Sequence, residues 1–383
     1  MAVDGAVIVF ALSTVFLFYV LFGYPLLLRI LPWQERGPAR KEPAEWKSVS
    51  VILPVRNGER WLRAKLQSIF AMDYPQELLE VIVISDGSTD GSEAVAEEFG
   101  EKIELLRIPP SGKAAALNQG IAKARGEVLF FTDVRQALDP QALKILVACF
   151  EDPSVGVASG ELIIRKGEST EEENVGLYWH YEKWIRKQHS RIDSVIGATG
   201  AIYSMRRNLA CTLPVHTLLD DVHLPLNAFF QGYRVLFVEQ AKAYDYPTAL
   251  ETEFHRKVRT LAGVYQVIGA FPALLGPRNR MWIHFMSHKL GRLLLPYALI
   301  ALFVSGFLLP RPWSLAAVGV QTLFYGLAIA DRWISEGGRL KKLSSMVRTF
   351  VVLMWAAFCA GSILFLPSGA FWKPPAQRAR PAG

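Results

Sequence analysis

The sequence is poor in cysteine and lacks several motifs that would point directly to a function. Its three cysteines, Cys149, Cys211 and Cys359, lie far apart in 383 residues. They therefore indicate neither a disulfide framework nor a zinc site. No G-x-G-x-x-G follows a predicted strand, and no G-x-x-x-x-G-K-[ST], G-x-S-x-G or H-E-x-x-H segment occurs. A nucleotide bound by this chain would be held by acids and loops, since no glycine-rich phosphate loop is present.

Long apolar runs are abundant, and they lie near the two ends of the chain. Residues 6–28 contain no charged residue and are long enough to cross a bilayer. This run is too long for a signal-peptide core and no small-residue cleavage pattern follows it, so we expect a retained anchor over residues 1–32. Three further runs, at 293–309, 313–330 and 350–366, approach the minimum spanning length of about 17 residues. One such run fits a buried core helix, whereas three in succession predict membrane spans over 291–370.

Basic residues predict which side of the membrane the middle of the chain faces. One group follows the first run and another separates the third run from the fourth: Arg29, Arg36, Arg40 and Lys41, then Arg332, Arg339, Lys341, Lys342 and Arg348. The positive-inside rule places both groups in the cytoplasm, and it disfavours the fourth span, which would put the basic tail 371–383 outside. Lipid-facing basic loops account for the net charge of +7. No arginine-rich stretch interleaved with aromatics indicates a nucleic-acid partner.

The middle of the chain, residues 47–260, has the composition of a soluble α/β domain. Short apolar strands are predicted at 50–55, 79–85, 103–108 and 128–132, and helical segments alternate with them. Continuous apolar strands separated by helices are typical of a doubly wound, mostly parallel sheet. Asp86 and Asp133 stand at the carboxyl ends of two of these strands, where open α/β sheets bind ligands. A helix-capping role for either aspartate is the alternative.

Five segments of this region resemble family 2 glycosyltransferases, most closely the membrane-embedded, cellulose-synthase-like branch. They occur in the family's order: "VSVILPVRNGE", "VIVISDGSTDGS", "GKAAALNQGIAKARGEVLFFTD", "GATGAIYSMRR" and "LLDDVHLPLNAFFQGYRV". The resemblance covers roughly residues 47–263. It implies a GT-A fold that transfers a sugar, with inversion, from a nucleotide-sugar that is usually a UDP-sugar.

The resemblance also implies roles for individual residues. Asp86 would bind the nucleotide base, Asp133 would be the first acid of the metal-binding D-x-D, and Asp221, preceded by Asp220, would be the catalytic base. The full set implied for donor binding is Pro54, Asn57, Asp86, Lys113, Asp133, Arg256 and Arg259. Gly200 is implied for acceptor binding. A positioned carboxylate suits the base because an acceptor hydroxyl is a poor nucleophile until its proton is removed.

Two segments depart from the family pattern. Arg135 stands where a D-x-D has its second acid, and it has no lone pair with which to bind a metal. It either points away from the site or partly replaces the cation at the diphosphate; we expect the first, with Mg2+ or Mn2+ held by Asp133 alone. The Q-x-x-R-W segment has become Arg256 to Thr260, so that Arg256 and Arg259 either brace the diphosphate or bind lipid headgroups.

Structural interpretations also exist for the remaining candidate residues. Asp220 and Asp221 fit a helix N-terminus as well as a catalytic pair. The aromatic stretch "GLYWHYEKWIRKQHSR" contains Glu182 and Trp184, which are candidate acceptor-binding residues on a helix that otherwise resembles a core helix. Residues 261–290 resemble an amphipathic interfacial segment, in which packing explains His284 and His288 better than a shared metal does.

Membrane segments and a cytoplasmic donor site together predict an acceptor at the membrane surface. It would be a lipid, a lipid-linked sugar or a polysaccharide. In processive members of the family the Trp of Q-x-x-R-W stacks on the chain's terminal sugar, and Thr260 replaces it here. We therefore expect addition of one or a few sugars, with processive β-glycan synthesis as the alternative. An inactive GT-A scaffold is a further alternative, motivated by Arg135.

Overall fold

The computed structural model describes residues 2–31, 43–164, 170–246, 250–277, 279–335 and 338–371. By its internal contacts the chain divides into two compact units. The sheet unit comprises 33–165 and 183–246, and the helical unit comprises 1–32, 166–182 and 247–383. The predicted domains 1–32, 47–260, 261–290 and 291–370 stay a prediction. Arg36, Arg40, Lys41 and the tail beyond Phe371 lie outside the described residues.

The sheet unit is built on one mixed eight-stranded sheet of order β3-β2-β1-β4-β7-β6-β8-β5. The strands are β1 Val49–Val55, β2 Leu79–Asp86, β3 Glu104–Ile108, β4 Val128–Phe131, β5 Ala137–Leu138, β6 Val155–Ile164, β7 Tyr203–Arg206 and β8 Arg234–Asp245. Strands β3, β2, β1 and β4 are parallel neighbours, and β6 is parallel to β8. Strand β7 is antiparallel to both β4 and β6. The predicted α/β class and its parallel half are confirmed.

Helices connect the strands and form the helical unit. They are α1 Ala2–Phe18, α2 Tyr24–Ile30, α3 Glu59–Phe70, α4 Ser92–Glu97, α5 Lys113–Lys123, α6 Ala142–Ala148, α7 Thr170–Ile192, α8 Asp220–Phe230, α9 Leu250–Ala270, α10 Trp282–His284, α11 Gly291–Phe307, α12 Trp313–Ala330 and α13 Arg339–Ala360. Helices α3, α4 and α5 lie within two residues of the segments predicted between the first four strands. The βα alternation therefore follows the sequence pattern closely.

The central strands bury both of their faces, which explains their uninterrupted apolar runs. Strand β4 is buried along its whole length, and β1 is buried except at Pro54. Val55 pairs with Ser85 and Asp86 pairs with Ile108, so β1, β2 and β3 end at the same edge of the sheet. The loops that follow these strands therefore converge, as the sequence predicts.

Helix α5 packs on β1 and β2 at a glycine, Gly120. A Cβ on Gly120 would lie 2.8 Å from Cγ2 of Ile52 and 2.9 Å from Cδ1 of Ile84. Both contacts are shorter than side chains tolerate, so only glycine lets the helix pack directly on β1 and β2. The close packing fixes the position of Lys113, the first residue of α5.

Among its described residues, the helical unit contains four helices long and apolar enough to cross a membrane: Asp4–Ile30, Trp282–Phe307, Trp313–Trp333 and Arg339–Leu364. They overlap the four predicted runs and have the features of a membrane protein. Helix α1 packs on α11, and α13 packs on α9 and α12. The second candidate span begins inside the predicted interfacial segment 261–290. Within it, His284 Nδ1 bonds to the Tyr24 hydroxyl at 2.8 Å, in agreement with a packing role.

Candidate active site

Asp86, the last residue of β2, shapes the loop that leads into α5. Its carboxylate accepts backbone N–H bonds from Ser111 at 2.6 Å and from Gly112 at 3.0 Å. Asp86 is only 4% exposed, and Gly112 adopts a φ of 90° that favours glycine. Asp86 thus stands at the predicted ligand edge. Its carboxylate organises the backbone immediately before Lys113.

Asn57 links the loops that follow β1 and β2. It has a φ of 51°, uncommon for a residue with a side chain. Its Oδ1 accepts the Thr89 N–H at 2.8 Å, and its own N–H donates to the Ser88 hydroxyl at 3.2 Å. Pro54, the predicted neighbour on β1, pairs with Ile84 on β2. The predicted donor-binding residues of these two strands therefore lie at one edge of the sheet.

The centre of the site is an ammonium shared by several carboxylates. Nζ of Lys113 lies 3.0 Å from Oδ1 of Asp133 and 3.2 Å from Oδ2 of Asp220. Burial would lower the pKa of Lys113, but the charges of Asp133, Asp220 and Asp221 raise it above its usual value. Lys113 is therefore firmly charged. The structure brings together these four residues, which lie at the start of α5, after β4 and at the start of α8.

Asp221 differs from Asp220 in what surrounds its carboxylate. Burial and the charge of Asp220 raise the pKa of Asp221 to about 6, although Lys113 opposes the shift. Oδ2 of Asp221 accepts the backbone N–H of Gly200 at 3.1 Å. A Cβ on Gly200 would lie 3.1 Å from that same oxygen, so a larger residue would press on the carboxylate. Asp220 and Asp221 also open helix α8, so the helix N-terminus interpretation and the paired-acid geometry hold together.

Arg135 points away from this cluster. Its guanidinium donates to Oδ2 of Asp245, the last residue of β8, and Nε2 of Gln136 donates to the same oxygen at 2.9 Å. Asp245 is 3% exposed, so the guanidinium neutralises a buried charge. The role of Asp133 without a second acid two residues later stays a prediction.

Three residues of this region escaped the sequence analysis: Lys65, Thr132 and Asp245. Lys65 is 2% exposed, and its ammonium donates to the Thr132 hydroxyl at 2.6 Å and to the Gln136 carbonyl at 2.7 Å. Burial lowers the pKa of Lys65 to about 7, while the charge of Asp133 opposes this shift. A signal for Lys65 existed, because it lies on the buried face of α3 between Leu62 and Leu66. For Asp245 we find no local signal.

Most of the remaining predicted residues belong to the helical unit. There, Nη1 of Arg256 lies 3.2 Å from Glu253, and Arg259 lies on the same helix, α9. Glu182 contacts Nε2 of His288 at 3.1 Å and the guanidinium of Arg292. Burial would raise the pKa of Glu182, but the charge of the Arg292 guanidinium holds that pKa well below its usual range. Trp184 belongs to the sheet unit and is half-buried.

The residues around Asp133 fit a divalent cation. The Asp133 side chain is 37% exposed, and it already contacts a cationic group, the Lys113 ammonium. Magnesium is commonly held by one or two carboxylates together with substrate phosphates, and such a site needs few protein ligands. The described residues contain no group of three or more His, Cys, Asp or Glu side chains arranged for a metal.

Two family models match the chain. Residues 50–212 match the model described as glycosyl transferase family 2, and residues 135–330 match the model described as glycosyl transferase family group 2. The second match spans more than half of the chain. The chain belongs to family 2 of the glycosyltransferases. Its matched region contains the Asp133 loop, Gly200 and the Asp220–Asp221 pair.

Similar proteins include members of this family from several bacteria. The probable glycosyltransferase YdaM of Bacillus subtilis is 25% identical over 268 residues, which cover 64% of this chain and 62% of YdaM. The beta-monoglucosyldiacylglycerol synthase of Synechocystis is 23% identical over 315 residues, covering 74% of this chain and 63% of the synthase. Each match thus covers less than two thirds of the relative's own length.

A solved structure shares the fold. The mannosyltransferase PcManGT of Pyrobaculum calidifontis, solved with GDP-Man and Mn2+, superposes with a TM-score of 0.71. The sequences are 21% identical, and the match covers 93% of this chain and 99% of PcManGT. The predicted GT-A fold of this family 2 chain is therefore confirmed.

Proposed function

We propose that this chain is an inverting, membrane-bound glycosyltransferase that moves a sugar from a nucleotide-sugar to a membrane-associated acceptor. The observation that carries the proposal is the cluster of Lys113, Asp133, Asp220 and Asp221 at the carboxyl edge of the sheet. In it, Asp221 has the raised pKa that suits a general base working near neutral pH. The donor is a UDP-sugar by family resemblance.

The geometry suits direct displacement at the sugar. Asp221 accepts the proton of the acceptor hydroxyl as that oxygen attacks the anomeric carbon, and the bond to the diphosphate breaks. Gly200 N–H holds the carboxylate in place, and Lys113 neutralises Asp220, so that Asp221 is the member of the pair that gains the proton. Asp133 would hold a divalent cation, which when bound offsets the negative charge that develops on the leaving diphosphate. Asp86 and Asn57 line the nucleoside side of the edge, and Arg256 and Arg259 remain proposed diphosphate ligands.

The acceptor is proposed to be a lipid, a lipid-linked sugar or a polysaccharide at the cytoplasmic face of the membrane. Four apolar helices and the basic loop residues support this location. The name of the Synechocystis relative describes a diacylglycerol-linked product, which supports a lipid acceptor with one or a few sugars added. Gly200, Glu182 and Trp184 remain proposed acceptor contacts.

Processive polysaccharide synthesis is the second candidate. A poly-beta-1,6-N-acetyl-D-glucosamine synthase of Staphylococcus epidermidis is 26% identical over 150 residues, or 38% of this chain. Thr260 in place of the family's chain-stacking Trp favours the first candidate. Long polymer made by the single purified protein would reverse this order.

The test is nucleotide release by detergent-purified protein across a panel of UDP- and GDP-sugars, with Mn2+, Mg2+ or excess chelator. Membrane lipid extract supplies acceptors. We expect release with one or a few donors, and loss of it in chelator. Release that persists in chelator would contradict the cation site at Asp133. Silence with every donor, together with no donor binding by calorimetry, would contradict the proposed enzyme and favour an inactive scaffold.

A further inference from the structure

The Asp133 loop is held on one side by a buried lysine, Lys65. Lys65 lies on helix α3 among Leu62, Leu66 and Ile69, all fully buried. Its ammonium bonds to Thr132 Oγ1 and to the Gln136 carbonyl, and these two residues flank Asp133 to Arg135. The Lys65 amine is therefore hydrogen-bonded to both ends of the loop.

The same loop is held on the other side by a buried carboxylate, that of Asp245. Oδ2 of Asp245 accepts hydrogen bonds from Arg135 and from Nε2 of Gln136. Both Asp245 and Lys65 are at least 95% buried, and each is hydrogen-bonded to the loop. Buried charges are costly unless paired and hydrogen-bonded, and apolar replacements often stabilise a protein more. Two buried ionisable side chains bonded to one five-residue loop therefore indicate that the protein needs this loop in a fixed conformation.

Hydrogen bonds also connect this loop to the segment that contacts Asp221. The Thr132 hydroxyl, which accepts from Lys65, donates to the carbonyl of Ala201 at 2.8 Å. Ala201 follows Gly200, whose N–H binds the Asp221 carboxylate. A chain of short hydrogen bonds thus connects Lys65 to the segments that carry both Asp133 and the partner of Asp221.

We infer that the buried Lys65 amine and the buried Asp245 carboxylate form a hydrogen-bonding clamp that presets the Asp133 loop for a divalent cation and a nucleoside diphosphate. Both are positioning residues, since neither reaches the reacting atoms. The clamp accounts for a D-x-R sequence at this place: a rigidly held single carboxylate replaces the pair of acids. This inference rests on the proposed function for its ligand, but its structural part does not.

The first experiment compares Lys65→Met with Lys123→Met in the full-length, detergent-purified protein. Lys123 is a 59%-exposed lysine on α5, so its variant controls for loss of a lysine as such. Mn2+ binding is measured by electron paramagnetic resonance with UDP or GDP present, and hydrogen exchange is measured over residues 132–136. Loss of a residue that orients a metal ligand typically costs about 10- to 100-fold in affinity. We expect that loss, and faster exchange of the loop, for Lys65→Met alone.

Three further variants keep the test decisive if Lys65→Met does not fold. Thr132→Val removes the hydroxyl link, Asp245→Asn removes the anion, and Lys65→Arg retains the positive charge. We expect intermediate losses in the first two and partial rescue in the third. Folded variants that bind Mn2+ within twofold of wild type and exchange this loop at the wild-type rate would overturn the clamp. If wild type itself binds no Mn2+, the proposed cation site fails, while loop exchange still tests the clamp.

Discussion

Carboxylates in the two units of this protein have opposite surroundings. In the helical unit, Asp331 is fully buried and accepts bonds from Ser344 Oγ at 2.6 Å, Arg348 at 3.2 Å and Lys341 at 3.3 Å. In the sheet unit, Asp133, Asp220 and Asp221 all act on the single ammonium of Lys113. Where cations outnumber the carboxylate, its charge is fixed and it holds helices together. Where carboxylates outnumber the cation, one of them is left with a raised proton affinity, which is the property of a base.

The largest effect on activity is expected at Asp221. Asp221→Asn keeps an oxygen for the Gly200 N–H but removes the proton acceptor. General-base catalysis contributes about 10²- to 10⁴-fold, so the rate of nucleotide release to acceptor should fall by that factor. Glu98→Gln, on an exposed ion pair with Arg63, serves as the control and should leave the rate unchanged. Full release by Asp221→Asn would assign the base elsewhere.

At Asp331 the comparison predicts a loss of stability with intact chemistry. Asp331→Asn leaves the buried Lys341 without its carboxylate partner and weakens the Arg348 contact. Removing one partner of a buried ion pair costs about 3–5 kcal/mol. Thermal unfolding in detergent should show a lower Tm, while release per folded molecule stays at the wild-type level. A variant with unchanged Tm would show that the network is not structural.

The pH dependence sharpens the contrast further. Asp221 must be deprotonated to act, so kcat/KM should fall as pH falls through about 6, the raised pKa of the free protein. At pH 5 the rate should be about tenfold below its plateau, since one pH unit below the pKa leaves about a tenth of the carboxyl groups ionised. Asp220→Asn removes a like charge and should move this acid limb to lower pH. Movement to higher pH would contradict the assigned coupling.

Arg135 should matter least for activity. Its guanidinium neutralises the buried Asp245, so Arg135→Ala should lower stability by about 3–5 kcal/mol. Because Nε2 of Gln136 still bonds to Asp245 and holds the loop, donor affinity of the folded variant should fall by only about 2- to 10-fold. Release by the variant should still require a divalent cation. A loss as large as that of Asp221→Asn, with wild-type release that resists chelator, would instead make Arg135 the cation at the diphosphate.

Local sequence patterns predicted the parallel half of the sheet but not the contacts that complete the site. Strands β1, β2 and β4 are buried on both faces, so their apolar runs were visible, and aspartates at strand ends pointed to one edge. The pairing of Arg135 with Asp245 joins residues 110 positions apart, and no periodicity reports such a contact. Only the fold shows which way Arg135 points.

Long-range contacts in the helical unit also escape local sequence patterns. Glu182 contacts His288 and Arg292, which lie 106 and 110 positions further along the chain. Composition reports whether a segment prefers water, whereas packing partners are decided by long-range contacts. Lys65 was predictable in principle, since a lysine on an apolar helix face calls for buried partners.

The most direct test of the account measures nucleotide release and Tm together for Asp221→Asn at pH 7.5. Because folding raises the pKa of Asp221, the free energy of unfolding falls as pH rises from about 4 to about 6. Above that range the charged Asp221 carboxylate costs the folded state about 1–3 kcal/mol. The account predicts that Asp221→Asn loses release while its Tm rises by a few degrees. A variant that keeps its release, or that loses release only because its Tm falls, would contradict the claim that Asp221 is an under-neutralised base.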